Sequence, residues 1–395
     1  MNYARSSSCR NLALLLIAAF PVLAQDTADG PRIARPPIRI YRGARANATG
    51  PTGYTPAQMK TGYGFSRVGN EGAGQTIALI DAYDAPTIES DLATFSTQFS
   101  LPACTTANGC FTKVYATGTK PPSNADWATE TSLDVEWSHA IAPQAKILLV
   151  EAAGQTDAEL WQAVDAAVSH GATVLSMSFG LPEYNGETSA DSHFETAGVT
   201  FVAAAGDRGN AAYYPAASPF VVGVGGTDLT LASSGAWQKE TAWACANILA
   251  CYINGGTGGG QSAYEKEPSY QSGVQTSGKR GIPDVAYDAD PSTGVSLYDT
   301  GAGGWEQVGG TSMGSPEWAA LFAIANSMRV AKGKKTLTQP QQYLYPDAET
   351  DYHDIRSGKN GTCGAVCTAK KGYDYLTGVG SPKANVLIPA LVSAP

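Results

Sequence analysis

Histidine is scarce in this chain. There are four, His139, His170, His193 and His353, and none stands in a His-Gly-Thr context. A nucleophile that needs an adjacent imidazole base therefore has little to draw on. Charge is thin too, at 15% of residues, with Asp and Glu outnumbering Lys and Arg 35 to 26. A net charge of −9 offers no basic footprint for a nucleic acid. Long apolar runs are missing, apart from Leu12 to Leu23, which is too short for a comfortable membrane span. Preceded by Arg5 and Arg10 and running into Val22-Leu23-Ala24, it reads as a secretory signal over residues 1–24. The glycine-rich loop Gly255–Gly260 lacks the lysine of a phosphate cradle and reads as a substrate-side loop. Paired CxxC sites are absent. Cys9 falls in the signal, and the other cysteines form close pairs, Cys104/Cys110, Cys245/Cys251 and Cys363/Cys367. With no histidine close to them in sequence, they read as local disulfides in an oxidising compartment and not as zinc ligands.

What is present is enough apolar residue, 43%, to build a large core. Residues 25–50 are rich in proline and carry Arg32, Arg35, Arg39, Arg42 and Arg45, which suggests an irregular arm or short propeptide. From residue 51 the texture is globular. Apolar strand runs at Thr76–Asp81, Lys146–Val150, Thr173–Met177, Val199–Ala205 and Phe220–Val224 alternate with helical patterns at Pro86–Phe99, Trp127–Ile141 and Asp157–His170. Continuous apolar strands alternating with helices imply an α/β fold with a parallel sheet covered on both faces. Ligands bind such sheets at the carboxyl ends of the strands, where Asp81 and Asp207 stand.

Three stretches carry the chemistry. In Gly309-Gly310-Thr311-Ser312-Met313-Gly314-Ser315-Pro316 the glycines permit a tight turn, and Pro316 suits the first turn of a helix. Ser312 then projects from a turn entering a buried helix, as a nucleophile or merely as a cap. In the helix Trp127–Ile141, the residues Trp127, Glu130, Asp134, Trp137 and Ile141 are spaced 3, 4, 3 and 4 apart and share one stripe. Glu136 is expected on the opposite, polar side, and His139 projects roughly 180° from Glu130. Two carboxylates on an apolar stripe repel each other, so one pKa rises and the pair shares a proton. Such a pair is a candidate base without histidine. Asp207 follows the strand ending at Ala205-Gly206. Protonated, it can donate a hydrogen bond to a developing oxyanion, as the neutral acid of ketosteroid isomerase does.

Together with Tyr54-Thr55-Pro56-Ala57-Gln58 and Pro283-Asp284-Val285-Ala286-Tyr287-Asp288-Ala289-Asp290-Pro291, these stretches resemble the sedolisin family of serine-carboxyl peptidases. The resemblance runs from about Thr52 to the C-terminus. It implies a subtilisin-like three-layer fold, with a mostly parallel central sheet flanked by helices. It implies Ser312 as nucleophile, Glu130 as general base and later acid, Asp134 as its partner and Asp207 at the oxyanion site. A carboxylate still accepts a proton near pH 4, where histidine is fully charged. Ser178-Phe179-Gly180, after a strand, resembles the edge that pairs with substrate backbone, with Ser178 and Gly180 as the binding residues. The resemblance further implies one bound Ca2+, with Asp354 and Asp374 as side-chain ligands and Ile355, Lys370 and Gly372 giving carbonyls. Family members usually carry a long folded prodomain, whereas residues 25–50 are too few for a domain.

The expected protein is a secreted, monomeric, acid-active peptidase acting on proteins or peptides, free of the membrane once the signal is removed. Two other readings differ from it. One is a neutral subtilisin-type enzyme using Asp81, a histidine and Ser312. The other is an inactive, calcium-stabilised binding module. Endopeptidase and tripeptidyl-peptidase modes are not separable at this level.

Overall fold

A computed structural model describes residues 31–41 and 50–395. The signal at 1–24, and Arg42 and Arg45 of the arm, lie outside the described residues. No helix among the described residues is long and apolar enough to cross a membrane.

The centre is a parallel sheet. Its strands run side by side in the order Phe111–Tyr115, Lys146–Ala152, Thr76–Ala82, Val174–Met177, Thr200–Ala204 and Val221–Leu231. Val285–Asp288 joins the last strand in parallel, and Trp237–Ala242 joins it antiparallel. The last strand continues to Leu231, well past the apolar run Phe220–Val224 that marks its start.

Strand alternation divides the core into two layers. Ile77 and Leu79 face one side of the sheet with Ile147 and Leu149, while Ala78 and Ile80 face the other with Leu148 and Val150. The first layer is closed by the helices Ala125–Ile141 and Thr311–Ala331, and the second by Asp157–Ser169. Asp157–Ser169 begins with a capping box, in which Thr156 Oγ1 accepts from Glu159 N and Glu159 reaches back to Thr156 N. The result is the three-layer α/β architecture expected. All three local disulfides are formed, Cys104–Cys110, Cys245–Cys251 and Cys363–Cys367.

Two local expectations are corrected. Pro316 is not in the first turn of its helix, because the helix already begins at Thr311. Its ring removes an N–H from the helix interior and leaves the Ser312 carbonyl, four residues back, without its usual donor. Glu136 is not on a solvated face. The helix Ala125–Ile141 is buried nearly all round, and Glu136 is fully buried, its Oε2 accepting from Tyr298 N at 3.1 Å. A hairpin, Val295–Asp299 with Gly304–Gly309, packs where the spacing alone implied water.

A buried ion pair ties the later strands together. Arg280 and Asp284 are both fully buried, with Nη1 2.8 Å from Oδ1 and Nη2 2.5 Å from Oδ2. Asp284 also accepts from Gly223 N at 2.8 Å and from the Tyr345 hydroxyl. Its backbone links Gly223 to Val379. Removing one partner of such a pair leaves a bare buried charge. Asp284→Ala is therefore expected to cost about 3–5 kcal/mol. Chemical denaturation should show this, with Ser381→Ala as a milder control.

Candidate active site

The register of the sheet brings two carboxyl-bearing positions together at the carboxyl ends of neighbouring strands. Asp81 pairs with Glu151 across neighbouring strands. Asp81 has the same parity as Ile77 and Leu79, so it points into the layer beneath the Glu130 helix. Glu130, Asp134 and Asp81 are all fully buried. Burial pushes the Glu130 pKa well above the carboxylate range, and the nearby charges of Asp134 and Asp81 push it further. Burial does the same to Asp134 and Asp81, with the charges of Asp134 and Glu151 adding to Asp81. Neither oxygen of Asp81 has a hydrogen-bond partner. The sequence reading left Asp81 outside this cluster. Strand parity is the signal that places it there.

Ser312 lies on the first turn of its helix and is fully buried. Its hydroxyl faces Glu130 closely enough to pull the Glu130 pKa part of the way down. Yet Ser312 Oγ and both Glu130 oxygens lack any bond of good geometry. A hydroxyl and a carboxyl left loosely facing each other have the arrangement of a nucleophile and base that tighten only around a substrate.

Ser178 links the helix that carries Asp134 to the helix that carries Ser312. Its Oγ lies 2.7 Å from Asp134 Oδ1 and 3.3 Å from the Ser312 carbonyl, the one that Pro316 leaves without a helical donor. One hydroxyl hydrogen cannot serve both acceptors fully. When Asp134 carries a proton it donates to Ser178 Oγ, and the Ser178 hydrogen is free for the Ser312 carbonyl. The Ser178 side chain thus turns inward to the cluster. Gly180 instead presents its backbone to the cleft.

Asp207 is held from the Ser312 loop. Its Oδ1 accepts from Thr311 N and Thr311 Oγ1, both at 2.9 Å, and Gly206 N donates to Thr311 Oγ1 at 3.0 Å. Its Oδ2 meets Arg39 Nε at 3.3 Å. Burial raises the Asp207 pKa to about 6 against the pull of Arg39 and the Thr311 donors. The four histidines stand elsewhere. His139 Nε2 donates to the Pro102 carbonyl at 2.7 Å, and its ring lies within 4.8 Å of the Cys104 and Cys110 sulfurs, closer to those cysteines than sequence distance suggested. His170 bonds Ala166, His193 bonds Asp165, and His353 stacks on Trp237.

The arm runs along the cleft as an added strand. Arg39 and Ile40 pair antiparallel with Gly309 and Val308. Arg35 exchanges backbone bonds with Gly180 at 3.3 Å each way, and Ala34 N donates to the Gln155 carbonyl at 2.8 Å. Pro36, Pro37 and Ile38 lie between these grips. A Cβ at Gly310, where φ is +108°, would strike the Pro37 carbonyl oxygen and lie 2.9 Å from Asp207 Oδ2. The Pro37 carbonyl therefore sits beside Asp207, two residues from Ser312.

On the far loop, Asp354 Oδ1 accepts from Gly372 N and Asp374 Oδ2 from Lys370 N, each at 3.0 Å. Asp354 Oδ2 also pairs with Arg356 at 2.7 Å. Both carboxylates are thereby drawn onto one turn, 370–372. The Ile355 side chain is buried with Ala242, Ala369 and Leu376, which leaves its carbonyl as its only donor atom. This all-oxygen donor set fits a hard cation such as Ca2+.

A sequence model of the Subtilase family matches residues 116–358. The chain is 33% identical to kumamolisin of Bacillus sp. (strain MN-32), over 91% of this chain and 68% of that protein. It is 32% identical to sedolisin of Pseudomonas sp. (strain 101), over 83% of this chain and 60% of that one. Its fold superposes on Pseudomonas sedolisin, a serine-carboxyl proteinase solved with two molecules of pseudo-iodotyrostatin. The TM-score is 0.75 at 28% identity, covering 86% of this chain and 98% of that one. The fold, the carboxyl cluster around Ser312 and these likenesses agree: the chain belongs to the sedolisin family of serine-carboxyl peptidases.

Proposed function

We propose that the protein is a secreted, monomeric, acid-active peptidase that cuts peptide bonds through an acyl-enzyme on Ser312. One observation carries this reading. Ser312 and Glu130 face each other in a buried carboxyl cluster that holds no histidine. Glu130 takes the Ser312 hydroxyl proton as Oγ attacks the substrate carbonyl carbon. Asp134 shares its charge, and neutral Asp207 donates to the oxyanion. Glu130 then gives the proton to the leaving amine. A water molecule attacks the ester by the same route in reverse, returning Ser312 and releasing the acid. Ser178 holds Asp134 and the Ser312 turn in register, and the Gly180 backbone pairs with the substrate strand. The three disulfides support an oxidising, extracellular setting.

Ser312→Ala should lower kcat by on the order of 10⁴-fold or more, and Glu130→Gln by about 10²–10⁴-fold. Casein digestion at about pH 4 checks both, and activity surviving in Ser312→Ala would sink the reading. Asp207 has a folded pKa of about 6, above its ordinary 3.8, so it is neutral below about pH 6 and charged above. That value is set against the pull of Arg39, so once the arm has left, activity should fall as pH rises past about 6.

Residues 25–50 act in this reading as a propeptide that covers the cleft. The support is the path of residues 31–41 past Gly180, Asp207 and Gly309. The Arg39–Asp207 pair exists only while Asp207 is charged, so acid loosens the arm. Arg39→Ala should shorten the lag before activity appears on acidification, measured with a fluorogenic peptide. An unchanged lag would remove Arg39 from this role.

Asp354 and Asp374, with the carbonyls of Ile355, Lys370 and Gly372, would hold one Ca2+, which supplies rigidity to the loop and no chemistry. Chelator should lower the thermal midpoint at neutral pH, and added Ca2+ should restore it. Asp374→Asn should make the midpoint indifferent to both.

A further inference from the structure

The arm shows more of the cleft than the reacting centre. Counting back from Pro37, whose carbonyl lies beside Asp207, the third residue is Arg35 and the sixth is Arg32. The strand continues past the third residue without obstruction. Ala34 N donates to Gln155, Ile33 bridges Thr156, and Asp157 N donates to the Arg32 carbonyl at 3.0 Å. A cleft that closes after three residues would block that path.

At the sixth position the Arg32 guanidinium has a defined seat. Its Nη1 lies 3.0 Å from Asp157 Oδ2, and its carbon lies 3.8 Å above the Tyr184 ring centroid. The seat belongs to the body of the protein and not to the arm. Asp157 opens a capped helix, with its Oδ1 accepting from Ala158 N at 2.9 Å. Tyr184 is fixed by its own N–H to Glu187 Oε2 at 2.8 Å. Arg32, Asp157, Trp161 and Tyr184 line a cavity of about 420 Å³, which leaves room beside the guanidinium. A carboxylate beside an aromatic face is a recognition site for a cation. No other cation pairs with Asp157 among the described residues.

We propose that Asp157 and Tyr184 form a substrate subsite that selects a basic residue, Arg or Lys, six positions before the bond cut, in an endopeptidase whose cleft stays open on that side. The inference rests on the peptidase reading above. It names a substrate class: internal segments of polypeptides carrying a cation at that distance. The arm uses the same seat as a resident ligand. Substrate reaches it by the strand addition the arm displays.

The test uses the full chain, activated in acid and assayed at about pH 5. Two quenched decapeptides, blocked at the N-terminus, differ only in Arg or Ala six residues before the cut bond, which mass spectrometry locates. The expected kcat/KM ratio of Arg to Ala peptide is about three- to tenfold for the unaltered protein. It should shrink towards one in Asp157→Asn and fall in Tyr184→Leu, while the Ala peptide is cut as before. That last readout shows that both variants are folded. An equal rate on both peptides with the unaltered protein overturns the subsite. So does a preference that survives Asp157→Asn. If only peptides with a free N-terminus three residues before the cut are accepted, the cleft is closed and the proposal fails while the peptidase reading stands. If neither these peptides nor casein is cut at any pH, the peptidase reading fails and the subsite with it.

Discussion

Three carboxyl groups, Glu130, Asp134 and Asp81, lie together in a dry layer with no lysine or arginine bonded to any of them among the described residues. That constraint governs the rest of the site. An unpaired carboxylate taken out of water costs several kcal/mol. Two in contact cost more, so the group keeps protons to a higher pH than free carboxyls would. A histidine in the same layer would have the opposite response, losing its proton on burial. The cluster therefore suits a base that works where imidazole is already charged. It also makes folding depend on pH: as pH rises, the folded state must ionise groups that the unfolded chain ionises far earlier. Glu151 is raised from 4.5 to about 7 and Asp207 from 3.8 to about 6, so each costs the folded form stability progressively as pH rises from the free value to the raised one, and the loss is complete at the raised value.

A cluster so poorly bonded internally must be positioned from outside. Two side-chain relays do this. Ser178 joins the end of a central strand to Asp134 and to the helix carrying Ser312, and Ser176, two residues earlier on the same face, meets Ser315 Oγ at 2.9 Å. Thr311 joins that same helix to Asp207 through both its backbone and its hydroxyl. The helix start thus becomes a common mount for Ser312 and Asp207. Pro316 belongs to this design, since it frees the Ser312 carbonyl for a side-chain donor that an ordinary helix residue would displace.

The fold was legible because strand runs buried on both faces read as continuous apolar segments, and helices read as 3.6-residue stripes. Glu130 and Asp134 were legible for the same reason: a stripe shared with Trp127 and Trp137 has no solvent to offer a carboxylate. The stripe argument failed for Glu136. A helix buried all round has no polar side, and only the hairpin at Val295–Gly309 reveals what covers it. Asp81 was visible as a strand-end residue, but its company depends on parity across neighbouring strands. The path of the arm could not be read at all. A Pro- and Arg-rich segment has no period, and its order comes from backbone pairing with Gly180 and Gly309, which lie far away in the chain.

In the proposed mechanism Asp207 serves two demands that exclude each other. As an oxyanion donor it must be neutral. As the partner of Arg39 it must be charged. Its pKa of about 6 reflects burial opposed by Arg39 and the Thr311 donors, so the two states exchange within a modest pH interval. The arm's backbone grips are of a different kind. Arg35, Ala34, Ile40 and the Arg32 carbonyl bind through backbone on either side of the reacting centre, and none of these contacts changes with pH. Pro36 and Pro37, nearest Ser312, have no N–H to give to the cleft wall. The arm is therefore held at its flanks and left loose over the nucleophile. Flank contacts are equally present before and during bond cleavage, so they favour occupancy without favouring reaction. A segment built this way can sit in a competent site, and of its two ion pairs, Arg32 with Asp157 and Arg39 with Asp207, the second couples its hold to the same proton that readies the proposed oxyanion donor.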